Sequence, residues 1–319
     1  MIKKILFAVN RMFRHPSAFF SKKIARQQLK LAVEDYYKSM SQQQRAEWVK
    51  QWYSKNTGRE LNLISPETFE DKINYLKLYK MTPLHKRLVD KYMVRDWIKE
   101  KIGEKYLIPL LGVWKSFEEI DFSSLPDSFV LKCNHGSGWN IIVKNKSELD
   151  LKNCREKLNF WMSKNYAFSN GFELQYDGVP PRIIAEKYLP ALNGNLFDYR
   201  FYCFNGKPQY IWLDVKSGTP EHKRNIYSLD WKLLPMQVMW PPIEETIPPP
   251  ESLQEMLICA EKLCSGFDFV RVDFYEIDGK PLFGEMTFVP MSGIGMPEKE
   301  NIEFGELLQI QATLKETLF

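Results

Sequence analysis

Two acidic residues near the C-terminus, Asp273 and Glu285, are of the type that holds a divalent cation. Arg271 precedes Asp273 by two positions, and Thr287 follows Glu285 by two. Because side chains alternate between the two faces of a strand, each of these pairs points to one face. Mg²⁺ takes oxygen ligands and keeps room for substrate phosphates, so two neighbouring carboxylates beside an arginine would suit phosphate chemistry.

Whether the two acids meet depends on a predicted β-hairpin over residues 269–288, with an Asp-Gly turn at 278–279. A strict two-residue turn would pair Val272 with Glu285 and point Asp273 the other way. A three-residue loop, or one bulged residue, would place Asp273 opposite Glu285 with their Cβ atoms about 5 Å apart. The metal hypothesis therefore predicts an irregular turn. The alternative is a sheet with alternating polar residues on a solvated face.

A glycine-rich turn between two predicted strands offers a second place for an anion. Lys132 lies at the end of the first strand, the turn runs from Asn134 to Gly138, and the second strand starts at Asn140. Backbone N–H groups of such a turn can approach an anion closely, and the lysine adds a point charge. The turn is neither G-x-G-x-x-G nor a Walker loop, which disfavours those two nucleotide-binding folds. A turn without a ligand is the alternative.

Two further basic residues fall on a predicted helix. Thr82 and Pro83 form a helix start, an N-cap followed by proline at the first position, and Gly103 is a stop signal. On one continuous helix, Lys91 and Arg95 would be neighbours on one face, four residues apart. A solvated charged face is the alternative interpretation.

Strands predicted in the middle of the chain carry polar residues that could face the same cleft. An apolar strand at 182–189 turns polar at Glu186, and two strands joined by a tight turn lie within 197–215. Arg200 and Arg224 could face the cleft of the two acids, where cations would neutralise charge on a transferred phosphoryl group. Solvated strand residues are the alternative.

The order of these segments resembles that of the ATP-grasp ligases. The C-terminal signature is R-x-D at 271–273, G-E-x-T at 284–287 and P-x-S-G at 290–293, and the run GEMTFVPMSG resembles the TupA-like branch more closely still. The resemblance covers about residues 65–300. It implies an α+β ATP-grasp fold, in which two lobes with mainly antiparallel sheets clamp ATP, plus a helical extension at the N-terminus.

The resemblance also implies ATP and Mg²⁺ as cofactors and a role for the matching residues. Asp273, Glu285 and Thr287 would hold Mg²⁺, although Thr287 replaces the asparagine of the wider superfamily and a hydroxyl binds Mg²⁺ more weakly than an amide carbonyl. Arg271 would stabilise the oxyanions of the reaction. The other implied catalytic positions are Lys132, Ser292 and Gly293. The residues expected to contact the nucleotide are Lys91, Lys132, Gly136, Ser137, Gly138, Glu186, Lys187, Leu189, Asp198, Arg200 and Arg224.

The activity implied by the resemblance is that of an ATP-dependent carboxylate–amine ligase that works through an acyl phosphate. The TupA-like branch points to a uronic-acid carboxyl of a surface polysaccharide (capsule, O-antigen or teichuronic type), or of its precursor, which an amino acid would amidate. Another ATP-dependent ligase remains open. So do a glycosyltransferase, although the chain lacks the D-x-D motif, and a catalytically silent binding protein with the same fold.

Composition excludes several other classes. The 319 residues are 44% apolar and 26% charged, an ordinary globular composition. Five cysteines without C-x-x-C spacing predict reduced, buried thiols instead of disulfides or a zinc site. A net charge of +4 is too small to predict nucleic-acid binding.

The positive charge is uneven, because residues 1–33 contain Lys and Arg but no acid. This segment could lie on an anionic membrane surface, or it could pack as a helix on the rest of the protein. Its apolar stretch is too short to span a bilayer, so a cytoplasmic protein is expected, with at most peripheral contact at the inner face of the membrane.

Four regions are predicted along the chain. A basic, helical N-terminal extension covers residues 1–60, with helix expected over 17–55, and a helical region before the ATP-grasp core covers 61–125. The small lobe would occupy 126–190, and the large lobe with the metal site would occupy 191–319.

Overall fold

The structure, a computed structural model, describes residues 33–189 and 196–311. The basic segment 1–33 lies outside these ranges except for its last position, so its expected membrane contact falls outside the described residues. Within them, the chain folds around two antiparallel sheets, with helices before the first sheet and packed on both sheets.

The N-terminal extension is helical where it is described. Residues 33–39 are helical, and helix α1 spans Gln42–Thr57. Ser41 separates the two helices, because its side chain forms a capping box with Gln44 at the start of α1. Gly58 ends α1 with a left-handed conformation at φ 70°. The helix expected over 17–55 is thus divided at the Ser41 cap.

Helix α2, Phe69–Tyr79, connects the N-terminal region to the C-terminal half of the chain. Thr68 and Asp71 form its capping box. Two polar side chains on this helix, Asn74 and Lys77, are completely buried at 0% exposure. Buried polar groups require partners, and both donate hydrogen bonds to a turn far along the chain.

The prediction of one continuous helix from residue 83 to 102 is wrong. Helix α3 spans Pro83–Val89 and helix α4 spans Val94–Lys101. Asp90 breaks the helix with ψ 109°, and its carboxylate accepts the backbone N–H groups of Tyr92 and Met93. A short acidic side chain that bonds nearby backbone N–H groups favours a turn over a helix. Lys91 therefore lies in a turn and not beside Arg95 on a helix face.

The first sheet contains four strands in the order β1-β4-β2-β3. Its strands are β1 (Leu110–Trp114), β2 (Phe129–Cys133), β3 (Asn140–Val143) and β4 (Ile183–Lys187), and helix α5, Leu151–Met162, packs on it. One face carries Phe129, Leu131 and Cys133 into the core under α5. Lys132 alternates to the other face, which β4 shares through Glu186.

The second sheet contains five strands in the order β7-β6-β5-β8-β9, all paired antiparallel. Its strands are β5 (Asp198–Phe204), β6 (Lys207–Val215), β7 (Lys223–Tyr227), β8 (Phe269–Ile277) and β9 (Lys280–Thr287). Helices α6 (Leu253–Cys264) and α7 (Glu298–Leu307) contribute to the same hydrophobic core. This sheet forms the larger half of the fold.

All five cysteines are free and buried, as their spacing predicted. Among the residues that the structure describes, no helix has both the length and the apolar character needed to cross a membrane.

Candidate active site

A single bulge in strand β9 brings the two predicted metal ligands together. The Asp-Gly turn is tight, with Ile277 paired to Lys280, and a regular ladder would pair Asp273 with Gly284. The register shifts after Phe274, so that Asp273 pairs with Glu285 instead. A Cβ at Gly284 would lie 3.1 Å from the Asp273 carbonyl oxygen, so only glycine fits the bulge without displacement. The bulged alternative of the sequence analysis is confirmed.

Arg271 holds both acids. Its Nε and Nη2 atoms donate to the Asp273 carboxylate at 2.7 and 2.6 Å, and Nη2 also donates to Glu285 Oε1 at 2.8 Å. Thr287 donates its hydroxyl to the same Glu285 oxygen at 3.2 Å. The four side chains predicted from the R-x-D and G-E-x-T motifs therefore form one connected cluster.

Burial and nearby cations act in opposite directions on the two acids. Burial raises the pKa of Asp273 to about 6, although Arg271 and Arg200 counteract it. Burial also acts to raise the pKa of Glu285, but Lys91, Arg271 and Arg200 outweigh it and lower this pKa to about 2. Glu285 is thus an anion at neutral pH, as a Mg²⁺ ligand must be.

Side chains of opposite charge form further ion pairs across the same sheet face. Arg200 lies behind Asp273, with Nε 3.8 Å from its carboxylate, and it contacts Asp214 at 2.6 Å and Asp198 at 3.1 Å. Asp214 is completely buried and accepts Arg224 Nε and Nη2 at 2.5 and 2.7 Å. Arg200 therefore reaches the predicted metal site, whereas Arg224 lies on the same face but is occupied by Asp214.

Two lysines line the same cleft as Glu285. Lys91 Nζ lies 4.0 Å from Glu285 and donates to the Gly136 carbonyl oxygen at 2.7 Å. Lys132 donates to Glu186 at 2.6 Å. The residues that line a cleft between the two sheets include Lys91, Lys132, Glu186 and Glu285. Burial lowers the pKa of Lys91, with Lys132 acting in the same direction and Glu285 opposing it.

The glycine-rich turn contacts one residue of this cleft, because the Gly136 carbonyl oxygen accepts a hydrogen bond from Lys91. Gly138 adopts φ 72°, and a Cβ at Gly136 would clash with the rings of Trp139 and Tyr166 at 2.6 and 2.9 Å. Ser137 lies in a second cavity, which it shares with Arg271 and Glu285. The turn is thus linked to the cleft through Lys91 and to the second cavity through Ser137.

Three residues expected to contact the nucleotide lie in or just after β4, and they differ in their positions. Glu186 points into the cleft and is also paired with Arg95 at 3.2 Å. Lys187 is exposed on the opposite side of the strand, and its backbone N–H donates to Pro109 at 2.9 Å. Leu189 is half-buried and directly precedes the residues 190–195, which lie outside the described ranges.

The P-x-S-G motif forms a strained turn. Met291, Ser292 and Gly293 have φ values of 53, 57 and 82°, a left-handed conformation that is costly for the first two. Helix α2 holds this turn, since Lys77 donates to the Ser292 carbonyl oxygen at 3.0 Å and Asn74 to that of Gly293 at 2.8 Å. These contacts compensate for the strain in the turn.

Sequence reasoning missed three residues near the site: Lys77, Glu173 and Asp214. Glu173 accepts the Ser292 hydroxyl at 2.7 Å and lines the second cavity with Arg271 and Glu285. Asp214 anchors Arg200 and Arg224. The three lie in segments without a recognisable motif, so only their burial in the folded chain marks them.

The donor set fits Mg²⁺ that is shared with a phosphate ligand. Asp273 and Glu285 supply carboxylate oxygens and Thr287 supplies a hydroxyl, which are hard donors. Within the described ranges, no group of three or more His, Cys, Asp or Glu side chains could hold a metal ion. Among the residues that the structure describes, the site offers two carboxylates but no complete cage, which is the pattern of Mg²⁺ sites that take their remaining ligands from phosphates and water.

A sequence model of the TupA-like ATP-grasp family matches residues 71–309, which include both sheets and the whole cluster described above. The chain belongs to the TupA-like ATP-grasp family. Membership identifies the two antiparallel sheets as the two lobes of an ATP-grasp fold, so the α+β fold implied by the resemblance is confirmed.

Several solved structures are similar to this TupA-like chain. D-alanine–D-alanine ligase from Bacillus anthracis is 21% identical, with a TM-score of 0.41 over 67% of this chain and 59% of that protein. The L-amino acid ligase from Bacillus licheniformis is 13% identical, with a TM-score of 0.45 over 75% of this chain and 55% of that protein. This chain therefore covers less than two thirds of the length of either enzyme. No curated protein matches the sequence.

Proposed function

We propose that this TupA-like protein is an ATP-dependent carboxylate–amine ligase. Its substrates would be a uronic-acid carboxyl of a surface polysaccharide, or of its precursor, and the amino group of an amino acid. The observation that carries the ligase assignment is the pairing of Asp273 with Glu285 beside Arg271, opposite two lysines in the interlobe cleft. The uronate part is supported by membership of the TupA-like branch.

The cleft between the lobes would receive the phosphates of ATP. Lys91 and Lys132 line it, and each already contacts one carboxylate, Glu285 or Glu186. A phosphate carries more charge than a carboxylate, so it would compete well for both ammonium groups. Arg95 would keep Glu186 paired when Lys132 turns to the phosphate, since it contacts the other carboxylate oxygen at 3.2 Å.

Asp273, Glu285 and Thr287 would hold Mg²⁺ through their oxygen atoms. Bound Mg²⁺ would neutralise the charge of the phosphates that complete its coordination. Arg271 keeps the two acids adjacent and ionised, and Arg200 supports Asp273 from behind. The position of Arg200 fits a role in orienting this acid better than a direct contact with the nucleotide.

The proposed reaction has two steps. A carboxylate oxygen attacks the γ-phosphorus of ATP, the bond to ADP breaks, and an acyl phosphate forms. The amine nitrogen then attacks the acyl carbon, and phosphate leaves. Arg271 shares a cavity with Ser292 and Ser137, where its guanidinium could stabilise the oxyanion that develops in the second step.

We place the protein in the cytoplasm, with residues 1–33 at the inner face of the membrane where such polymers are assembled. The basic composition of this segment supports the placement. Removal of residues 2–30 should reduce binding to vesicles that contain anionic lipid, with neutral vesicles as the control. Equal binding by the two forms would refute the membrane contact.

The test of the ligase function is ADP release by purified protein with Mg-ATP. D-glucuronate, D-galacturonate and their UDP derivatives would be crossed with the amino acids, alongside a Glu285→Gln variant. ADP release that requires both an acid and an amine supports the proposal and identifies the substrates. Consumption of a sugar nucleotide without ATP would support a glycosyltransferase, and failure to bind Mg-ATP would support a catalytically silent protein.

A further inference from the structure

A buried acid, Glu173, lines the second cavity. Glu173 is 5% exposed, and its carboxylate accepts the Ser292 hydroxyl at 2.7 Å and the Gln175 amide at 3.1 Å. The same cavity, of about 140 Å³, is lined by Arg271 and Glu285. Glu285 also lines the nucleotide cleft, so the two cavities meet at this residue.

Glu173 differs from the other acids of the site in its partners. Arg271 holds Asp273 and Glu285, and Glu186 is paired with Lys132 and Arg95. Within the described ranges, Glu173 makes hydrogen bonds to a hydroxyl and an amide but has no cationic group within ion-pair distance. A buried carboxylate without a cationic partner in a substrate cavity is suited to bind a cation or to accept a proton.

Lys77 provides a positive charge behind this acid without neutralising it by direct contact. Its ammonium group is completely buried, donates to the Ser292 carbonyl oxygen at 3.0 Å and lies 5.2 Å from the centre of the Trp52 ring. Lys77 and Glu173 therefore contact the same residue: Lys77 binds the backbone carbonyl of Ser292, and Glu173 binds its side chain. A buried acid and a buried base joined in this way stabilise each other's charge across the turn.

We propose that Glu173 is the general base of the ligase, which binds the ammonium group of the incoming amino acid and removes its proton, and that Lys77 is the residue that positions and tunes it. This inference rests on the proposed ligase function and adds the acceptor side of the site to it. Ser292, hydrogen-bonded to Glu173, would hold the amine beside the acyl carbon.

The proton affinities of the pair suit this role. Burial raises the pKa of Glu173 towards neutral pH, with Ser292 and Lys77 acting against it, and burial lowers the pKa of Lys77, with Glu173 acting against it. A base with a pKa near the working pH is the most effective one. The other titratable groups that face Glu173 are Tyr166, Tyr176 and Glu285.

The proton balance of the amide-forming step is complete with these groups. The ammonium loses one proton to the Glu173 carboxylate, and the free amine forms a C–N bond at the acyl carbon. The C–O bond to the phosphoryl group then breaks, and the leaving phosphate takes the second proton of the nitrogen. Glu173 finally releases its proton to solvent, which regenerates the carboxylate.

Hydroxylamine separates the two steps, because it is largely unprotonated at neutral pH and needs no base to attack an acyl phosphate. Wild type and Glu173→Gln would be compared with Mg-ATP and the four uronate compounds, once with the amino acids and once with hydroxylamine. We expect Glu173→Gln to lose about 100-fold or more in amide formation and to retain hydroxamate formation. Glu156→Gln, which alters an exposed acid of α5, is the matched control.

The results distinguish failure of the proposed ligase function from failure of the base assignment. No hydroxamate from the wild type with any of the four acids would reject free and UDP-linked uronates as the acid substrate, together with the base assignment made for that reaction. Hydroxamate from the wild type, with equal amide formation by Glu173→Gln, would reject the base alone. Parallel loss of both products in a folded variant would also reject it, because Glu173 would then act before the amine arrives.

A second variant covers the case in which Glu173→Gln does not fold. Removal of the positive charge in Lys77→Met should raise the pKa of Glu173, so the acid limb of the pH–rate profile for amide formation should move to higher pH. Hydroxamate formation should keep its pH profile. An unchanged acid limb in this variant would contradict the proposal.

Discussion

Asp273 lies directly opposite Glu285 in the β8–β9 ladder, although a tight Asp-Gly turn connects the two strands. The extra residue that makes this possible is Gly284, which lies against the backbone of Asp273. The proposed metal site therefore depends on a bulge as much as on the acids themselves.

Gly284→Ala should lower ATP turnover about tenfold, the effect of roughly 1.4 kcal/mol in the barrier. The added Cβ would lie 3.1 Å from the Asp273 carbonyl oxygen and 3.3 Å from the Tyr275 ring, which forces the strands apart at the site. Turnover measured against Mg²⁺ concentration checks this effect. Gly284→Val should lower turnover more than Gly284→Ala does. Equal Mg²⁺ dependence of turnover in the wild type and both variants would contradict the prediction.

Glu285→Gln and Asp273→Asn should each reduce ATP turnover by more than about 100-fold while the protein stays folded. Both changes keep the shape of the side chain but remove a charge that Mg²⁺ requires. ADP release and circular dichroism would be measured on the same samples. Glu245→Gln, an exposed acid remote from the cluster, is the control. Near wild-type turnover in either variant would refute the metal assignment.

Arg224→Met should lower the free energy of unfolding by about 3 kcal/mol, because it leaves the buried Asp214 without its bidentate partner. Urea unfolding measures this change. The affinity for ATP should be unchanged in the folded variant. A loss of ATP affinity would show instead that Arg224 contacts the nucleotide, as the sequence predicted.

Arg200→Met should act differently from Arg224→Met, because Arg200 bridges Asp214 and Asp273. We expect a lower kcat, since Asp273 loses its contact with the Arg200 guanidinium, together with a lower free energy of unfolding. Comparison of kcat and KM for ATP in the two variants tests this difference. A change confined to KM would contradict a role in orienting Asp273.

The free energy of unfolding should fall as the pH decreases from about 6.5 to about 4, with a contribution from His85. Its Nδ1 accepts the backbone N–H of Thr82 at 3.2 Å, and burial lowers its pKa to about 4. The unfolded chain takes up a proton on His85 near pH 6.5, whereas the folded chain does so only near pH 4. His85→Gln keeps the helix cap and should flatten the decrease. An equal slope in both proteins would contradict this prediction.

Local signals in the sequence were sufficient for many elements of the fold. The Asp-Gly and Asn-Gly hairpins, the Gly58 helix end and the strands around Lys132 follow from residues that are neighbours in the chain. The helix break at Asp90 was missed because its cause is not only local. Asn134 donates to the same carboxylate oxygen at 2.8 Å, and it comes from the glycine-rich turn, 44 residues further along the chain.

The sequence alone also supplied the candidates for the proposed nucleotide and metal site, since the resemblance to the ATP-grasp motifs selects Lys91, Lys132, Arg271, Asp273 and Glu285. Only the tertiary structure decided which partners these residues have. The bulge at Gly284, the anchoring of Arg200 by Asp214 and the contacts of Lys77 and Glu173 with Ser292 join segments that are distant in sequence. The reason is physical: turn and strand preferences act between neighbours, whereas burial and charge pairing depend on which surfaces the folded chain brings together.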